Sequence, residues 1–167
     1  FKYVPQYRTF LNYVNKDIVK SVVMVGMEQA KHDELEGACI TLRAALVMEP
    51  DNVDALYNYM LVCRNLYLES DDKQFVTDFK TEVFESLIRL QELAPDFDKT
   101  YYYLGFAYLN AGKYRDAQIA WDRFLKLSGP CSERMEIRDR LKELEEPVKI
   151  EKGYELVIGG RWNEGLS

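Results

Sequence analysis

The sequence predicts an all-α fold assembled from repeated helix pairs, and two observations support that prediction. Residues that would mark the end of a repeat lie 34 positions apart, at Pro95 and Gly129, which indicates copies of one structural unit. Apolar residues also recur at helical spacing, most clearly in the stripe of Phe75, Phe79, Val83, Leu87 and Leu90. Because a helix pair cannot bury its apolar face alone, such units are expected to stack.

The clearest unit covers residues 98–131. Its landmarks are Tyr101, Leu104, Gly105 and Tyr108, then Ala117 and Trp121, then Gly129 and Pro130. This pattern resembles the tetratricopeptide repeat (TPR), a helix-turn-helix of 34 residues with W-x2-L-G-x2-Y, A-x3-F and a closing proline. Tyr101 occupies the position of the motif tryptophan, and Trp121 occupies the position of the motif phenylalanine. The resemblance implies a right-handed α-α superhelix of antiparallel helix pairs.

The first part of the chain predicts an N-terminal cap and two repeats. The residues before Asp17 keep no register with the repeat, and we expect the segment 1–18 to form a short helix after Pro5 that caps the array. Complete repeats are expected at 19–52, 53–97 and 98–131. The second repeat is elongated, with helices from Val53 to Glu69 and from Lys73 to Ala94. Its outer residues Phe75, Val76 and Phe79 are either covered locally or left as a partner site.

The last part of the chain departs from the 34-residue step. Residues 132–146 predict an inserted helix that Ser132 caps and Pro147 ends, with an apolar stripe of Ile137, Leu141 and Leu144. A partial fourth repeat is expected at 147–167, because two landmark spacings are both 48, from Gly105 to Gly153 and from Ala117 to Gly165.

Small residues are expected where paired helices cross. In the first helices they are Gly26, Gly105 and Gly153, and in the second helices Ala38, Ala117 and Gly165. Gly112 and Gly160 are expected in the turns, where a left-handed backbone favours glycine. The second repeat has Met60 and Val83 at the small positions.

Composition narrows the function. The 167 residues are 47% hydrophobic and 30% charged, as in soluble single domains, and the net charge of −6 disfavours nucleic acid as a partner. Val22 to Met27, the longest apolar run, is too short to span a membrane. Because the chain begins at Phe1, we expect a fragment of a longer protein, and we predict a cytoplasmic location.

Neither cysteine nor histidine chemistry is indicated by spacing. Cys39, Cys63 and Cys131 form no CxxC motif, so we expect reduced, partly buried thiols and no zinc site. His32, the only histidine, is expected in a surface turn. No nucleophile or phosphate-loop motif is present, and carboxylates occur as charge runs, so the sequence predicts no enzyme, no metal and no cofactor.

The TPR resemblance implies a partner-binding groove lined by fixed positions of each first helix. The predicted groove residues are Lys20, Met27, Tyr57, Leu61, Arg64, Asn65, Lys99, Tyr102, Phe106, Asn110 and Tyr154. Val23 and Met27 occupy positions where some relatives hold a peptide carboxylate, so that ligand is not expected here. Alternatively, the aromatic members are covered by the chain itself.

The sequence therefore predicts a non-catalytic protein-protein interaction module or scaffold that binds a peptide or protein in its concave groove. Two alternatives remain open: a sensor of a signalling peptide, and a module that self-associates through the exposed end of the array. Nucleic acid and membrane are not expected partners of these residues.

Overall fold

The computed structural model describes the backbone of residues 4–158 and the side chains of residues 17–154 and 158. Within that part of the chain every regular element is an α-helix. The helices are α1 (Val4–Lys31), α2 (Leu35–Met48), α3 (Val53–Glu69), α4 (Lys73–Leu93), α5 (Asp98–Asn110), α6 (Tyr114–Leu127) and α7 (Glu133–Ile158). The all-α prediction is confirmed, and both helices of the second repeat lie within one residue of their predicted bounds.

The helices form two compact units, Phe1–Ala94 and Pro95–Ser167. In the first unit α1 pairs with α2 and α3 pairs with α4, and α2 packs on α3. In the second unit α5 pairs with α6, and α7 packs on α6. Each unit has its own core, which contains Leu42, Met60, Leu87 and Leu90 in the first and Leu104, Trp121, Phe124 and Ile137 in the second.

Two turns use a left-handed residue to reverse the chain. Gly112 has a φ of 71°, and the N–H of Lys113 after it donates to the carbonyl of Tyr108 at 2.9 Å. Asp33 has a φ of 65° in the equivalent turn of the first pair. The prediction for Gly112 is confirmed, whereas Gly160 lies outside the described residues.

Small residues stand where the paired helices approach most closely. A Cβ added to Gly26 would lie 2.7 Å from Cγ of Leu42, and one added to Gly105 would overlap the Trp121 indole. Ala38 and Ala117 are fully buried. The predicted crossings at Gly26 and Gly105 are therefore confirmed. Gly165 lies outside the described residues.

At the N-terminus, α1 corrects one expectation. A short capping helix separate from the first repeat was predicted, but one helix runs from Val4 to Lys31. Nothing between Pro5 and Gly26 breaks a helix, and proline in the first turn costs no hydrogen bond. Any capping contact involves side chains 4–16, which lie outside the described side chains.

The second correction concerns α7. The inserted helix was expected to end at Pro147, but α7 continues through it to Ile158. Buried Ile137 and Leu144 anchor the part before the proline, and a helix tolerates one missing N–H donor when its remaining turns are held. Among the described residues, no helix is long and apolar enough to cross a membrane.

Helix α7 also lies in a different register from the predicted one. Lys99 contacts Glu133 at 2.9 Å and Tyr102 contacts Glu136 at 3.1 Å, and both pairs are 34 residues apart. Two contacts of equal spacing place the start of α7 beside α5 in parallel, where the first helix of a fourth repeat belongs. Residues 132–146 are therefore not an insertion, and the 48-residue spacing to Gly153 does not mark the repeat.

Candidate partner-binding surfaces

An open depression of about 570 Å³ lies on the first unit between α1, α3 and the turn that precedes α3. Three of the residues that line it are Lys20, Val23 and Met27, which the groove prediction places on the first helix of the first repeat. Asp54, which lies 34 residues after Lys20, lines it from the second repeat. The structure thus brings residues of two adjacent repeats to one surface.

The depression combines an apolar side with a polar side. Met24 and Met27 are 62% and 37% exposed, and Val23 is buried beneath them. On the polar side, Asn58 donates through Nδ2 to the backbone carbonyl of Asp54 at 2.7 Å. Flexible methionine side chains adapt to differently shaped apolar groups, whereas amide side chains can bond a peptide backbone. This mixture suits an extended peptide.

The remaining predicted residues of the first unit lie on α3 outside the lining of the depression. Tyr57, Leu61 and Arg64 are half-buried, whereas Asn65 is exposed. Tyr57 and Arg64 take part in interactions within the protein. Tyr57, Leu61 and Arg64 are therefore accessible to a ligand only in part, whereas Asn65 is open to solvent.

In the second unit, the side chains of two predicted groove residues form hydrogen bonds with residues of α7. The Lys99 ammonium forms an ion pair with Glu133, and the Tyr102 hydroxyl donates to Glu136. The Lys99 hydrogen bond, the backbone N–H of Glu133 and Ser132 together hold the pKa of the Glu133 carboxyl at about 2. Burial and the Glu136 carboxylate raise the pKa of Tyr102 to about 12.

The aromatic residues of α5 form a packed cluster with α6. The Tyr102 ring lies 5.1 Å from Phe106 and 5.5 Å from Phe124, and Phe106 meets Trp121 edge-on at 5.1 Å. Tyr102 and Phe106 are both half-buried. Their packing accounts for much of their apolar surface, while Asn110 at the end of α5 is exposed.

On α7, Tyr154 belongs to an exposed apolar stripe that includes Ile150 and Ile158. These residues lie at successive turns of the helix and are 71%, 68% and 70% exposed in chain order. Tyr154 was predicted as a groove residue of a fourth repeat that began near Glu146. Because α7 begins earlier, Glu133 and Glu136 take the positions that correspond to Lys99 and Tyr102.

The residues of these surfaces that were missed from the sequence include Glu49 and Asn52 in the turn before α3. They also include Met24, Asn58, Glu133 and Glu136. Glu133 and Glu136 could have been predicted from the sequence, since each lies 34 residues after a predicted groove residue. Met24 and Asn58 carried none, because both fall outside the groove positions of the repeat.

No constellation for metal binding is found in the part of the chain that the structure describes. His32 is exposed, as predicted, with its Nε2 3.3 Å from Glu28 on the preceding turn of α1.

Comparison with solved structures identifies the fold. The P58(IPK) TPR domain superposes with a TM-score of 0.68 at 19% identity, covering 89% of this chain and 38% of that one. The first TPR of Spaghetti (RPAP3) bound to the HSP90 peptide SRMEEVD gives 0.62 at 15% identity, covering 78% and 92%. The chain has the tetratricopeptide-repeat fold. The TPR resemblance predicted from residues 98–131 is thereby confirmed.

A third similar structure is the Yersinia enterocolitica type III secretion chaperone SycD in complex with a peptide of the translocator YopD. It shares 13% identity with this chain, the match covers 81% of this chain and 95% of SycD, and the TM-score is 0.59. No family model matches the sequence, and no curated protein matches it. At these identities the similarity establishes the TPR fold and no more.

Proposed function

We propose that this TPR protein is a non-catalytic interaction module that binds an extended peptide segment of a partner protein. The observation that supports it most is the depression between α1 and α3, where exposed methionines face amide and carboxylate groups. Large apolar side chains left accessible beside polar groups are typical recognition anchors. Because the helices of this protein are already folded, most of the conformational entropy lost on binding is lost by the peptide.

Two proteins of similar fold were solved with peptides, one with the HSP90 peptide SRMEEVD and one with a peptide of YopD. They support peptide binding as the general activity. They do not carry over a ligand, because the residues at the site decide which peptide binds.

The chemistry of the depression favours a peptide with apolar anchors over an acidic tail. Lys20 supplies one cation there, and Glu49 and Asp54 oppose it with two carboxylates. In the second unit the Lys99 charge is paired with Glu133. We therefore propose that one or two apolar side chains of the peptide contact Met24 and Met27, while Asn58 bonds its backbone. Tyr57, Leu61, Arg64 and Asn65 stay proposed as secondary contacts in the first unit. Phe106 and Asn110 stay proposed, separately, as partner contacts of the second unit.

A random peptide library displayed on phage tests this proposal directly. Peptides selected on the wild-type chain are compared on Met27→Asp and on Val47→Asp. Each variant places one new negative charge at an exposed apolar helix residue, but Val47 lies on α2 outside the depression. We expect Met27→Asp to lower the affinity for the selected peptides at least tenfold. We expect Val47→Asp to leave that affinity unchanged. Equal affinity for all three chains would contradict the proposed site.

A second candidate function, self-association, is favoured by the exposed stripe of Ile150, Tyr154 and Ile158 on α7. Light scattering over a range of concentrations tests it. If the stripe mediates assembly, the mass rises with concentration in the wild type and stays that of a monomer in Ile150→Lys with Tyr154→Lys. A monomeric wild type at all concentrations would remove this candidate.

A further inference from the structure

The geometry points to a redox site between α2 and α3: we propose that Cys39 and Cys63 form a reversible disulfide when the protein meets a hydroperoxide. The proposal is independent of peptide binding. It rests on a pair of thiols from two helices, one accessible and one buried.

The fold brings together two cysteines that the sequence keeps apart. Helices α2 and α3 pack on each other on either side of the short turn at residues 49–52. Cys39 lies about as far before this turn as Cys63 lies after it, so an antiparallel hairpin places them at the same level. The two thiols are close enough that each affects the pKa of the other.

The two thiols differ in access to solvent. Cys63 is fully buried in the core of the first unit, whereas Cys39 is half-buried. A hydroperoxide in solution can therefore reach Cys39 first. Cys131 is exposed and belongs to the other compact unit, and it serves as an internal reference thiol.

The surroundings favour a thiolate at Cys39. The Cys63 thiol, with help from the Arg43 guanidinium, lowers the pKa of Cys39 to about 7 against the opposing effect of burial. The Cys39 thiol and burial raise the pKa of Cys63. Tyr59 contacts both thiols, and its hydroxyl donates to Glu82 at 2.9 Å. Because only a thiolate attacks efficiently, Cys39 is the nucleophile and Cys63 the resolving thiol.

The reaction balances with one equivalent of hydroperoxide. The Cys39 thiolate attacks an oxygen, the O–O bond breaks, and an alcohol, or water from hydrogen peroxide, leaves after taking up a proton. Cys39 is then a sulfenic acid. The sulfur of Cys63 attacks the Cys39 sulfur and displaces hydroxide, which leaves as water with the Cys63 proton. Two thiols are oxidised to one disulfide, and the peroxide is reduced.

The disulfide would join the first helix pair to the second. It closes a loop from residue 39 to residue 63, which restricts the unfolded chain and stabilises the folded unit. For a loop of this length in a chain of this size, we expect the midpoint of thermal unfolding to rise by roughly 5–10 °C on oxidation.

The experiment treats the wild-type chain and Cys131→Ser with hydrogen peroxide, blocks remaining thiols with N-ethylmaleimide, and maps peptides by mass spectrometry. We expect a cross-linked peptide pair containing Cys39 and Cys63, a monomeric chain, and reversal of both cross-link and thermal shift by dithiothreitol. In Cys39→Ser, we expect Cys63 to stay reduced because it is buried.

Two results would overturn the proposal. One is a wild-type chain in which Cys131 is oxidised while Cys39 and Cys63 both stay open to alkylation after unfolding. The other is Cys39 converted to sulfinic acid without a cross-link to Cys63. Both are read from the wild-type chain, so the test does not depend on how well any cysteine variant folds.

Discussion

Gly105 and Trp121 show how one missing side chain sets the distance between two helices. The indole is fully buried against Gly105, and its N–H donates to the carbonyl of Tyr102 at 3.2 Å. At Gly26 the corresponding neighbour is Leu42, which is smaller and can rotate about its side-chain bonds. The same small position therefore tolerates change differently in the two repeats.

We expect Gly105→Ala to destabilise the chain by about 2–3 kcal/mol, because the new methyl group would displace a rigid, hydrogen-bonded ring. The free-energy cost of that displacement exceeds the gain in helix propensity, which is about 1 kcal/mol. Gly26→Ala, where Leu42 can give way, is expected to cost about 1 kcal/mol or less. Urea unfolding followed by circular dichroism measures both. Equal losses would show that the neighbouring side chain does not decide the cost.

The two left-handed turn residues allow a reciprocal test. Asp33 and Gly112 have φ values of 65° and 71°, but only glycine adopts that conformation without cost. Asp33→Gly is expected to stabilise the chain by about 0.5 kcal/mol, and Gly112→Asp to destabilise it by a similar amount. Urea midpoints measure both changes. A loss of stability in Asp33→Gly would indicate that the aspartate contributes more than its backbone conformation.

At the scale of the helix, α7 is held to α5 by charge at its first turn. Lys99 and Glu133 are each about a third exposed, and the hydrogen bond between them is the main cause of the low pKa of Glu133. Because that pKa lies below the unfolded value, the contribution of the pair is complete at neutral pH. It begins to be lost as the pH falls below about 4 and disappears as the pH passes 2.

Lys99→Met tests this pairing. We expect the pKa of Glu133, followed by NMR of the side-chain carboxyl, to rise from about 2 in the wild type toward the ordinary glutamate value near 4.3. Lys142→Met is the matched control, since Lys142 pairs with Asp139 on the same helix and does not contact Glu133. An unchanged pKa in Lys99→Met would mean that Ser132 and the backbone N–H hold the carboxylate without the lysine.

Pro147 offers a second test on α7. Replacing it with alanine supplies an N–H that can donate to the carbonyl of Glu143 and removes a helix-interior cost of about 3 kcal/mol. We expect slower amide hydrogen exchange over residues 148–154, with no such effect in Glu145→Ala, an exposed position in the same turn. Unchanged exchange in Pro147→Ala would indicate that the proline does not limit the stability of this segment.

Across the whole molecule, the sequence predicted the pairing of helices better than the register of the last one. Gly105, Ala117 and Gly112 were assigned from one well-formed repeat, because each is required by local geometry. The predicted register of α7 was wrong because the 48-residue spacing between Gly105 and Gly153 is coincidental. Lys99 and Glu133 lie 34 residues apart at equivalent positions, but they are different residue types, so the sequence pattern does not reveal their correspondence. Met24 and the proximity of Cys39 and Cys63 depend on packing between helices, which no local pattern encodes.

The division into two compact units makes a prediction about folding. The first unit contains two complete helix pairs and buries Leu42, Met60 and Leu87 within itself. We therefore expect the fragment Phe1–Ala94 to unfold cooperatively in urea, with an m value about half that of the full chain, since m follows the surface exposed. A fragment that ends at Tyr67 lacks α4, leaves Met60 uncovered, and is expected to show no cooperative transition. If Phe1–Ala94 also lacked one, its core would need residues beyond Ala94, and the helix pairs of the first unit would not be the folding unit.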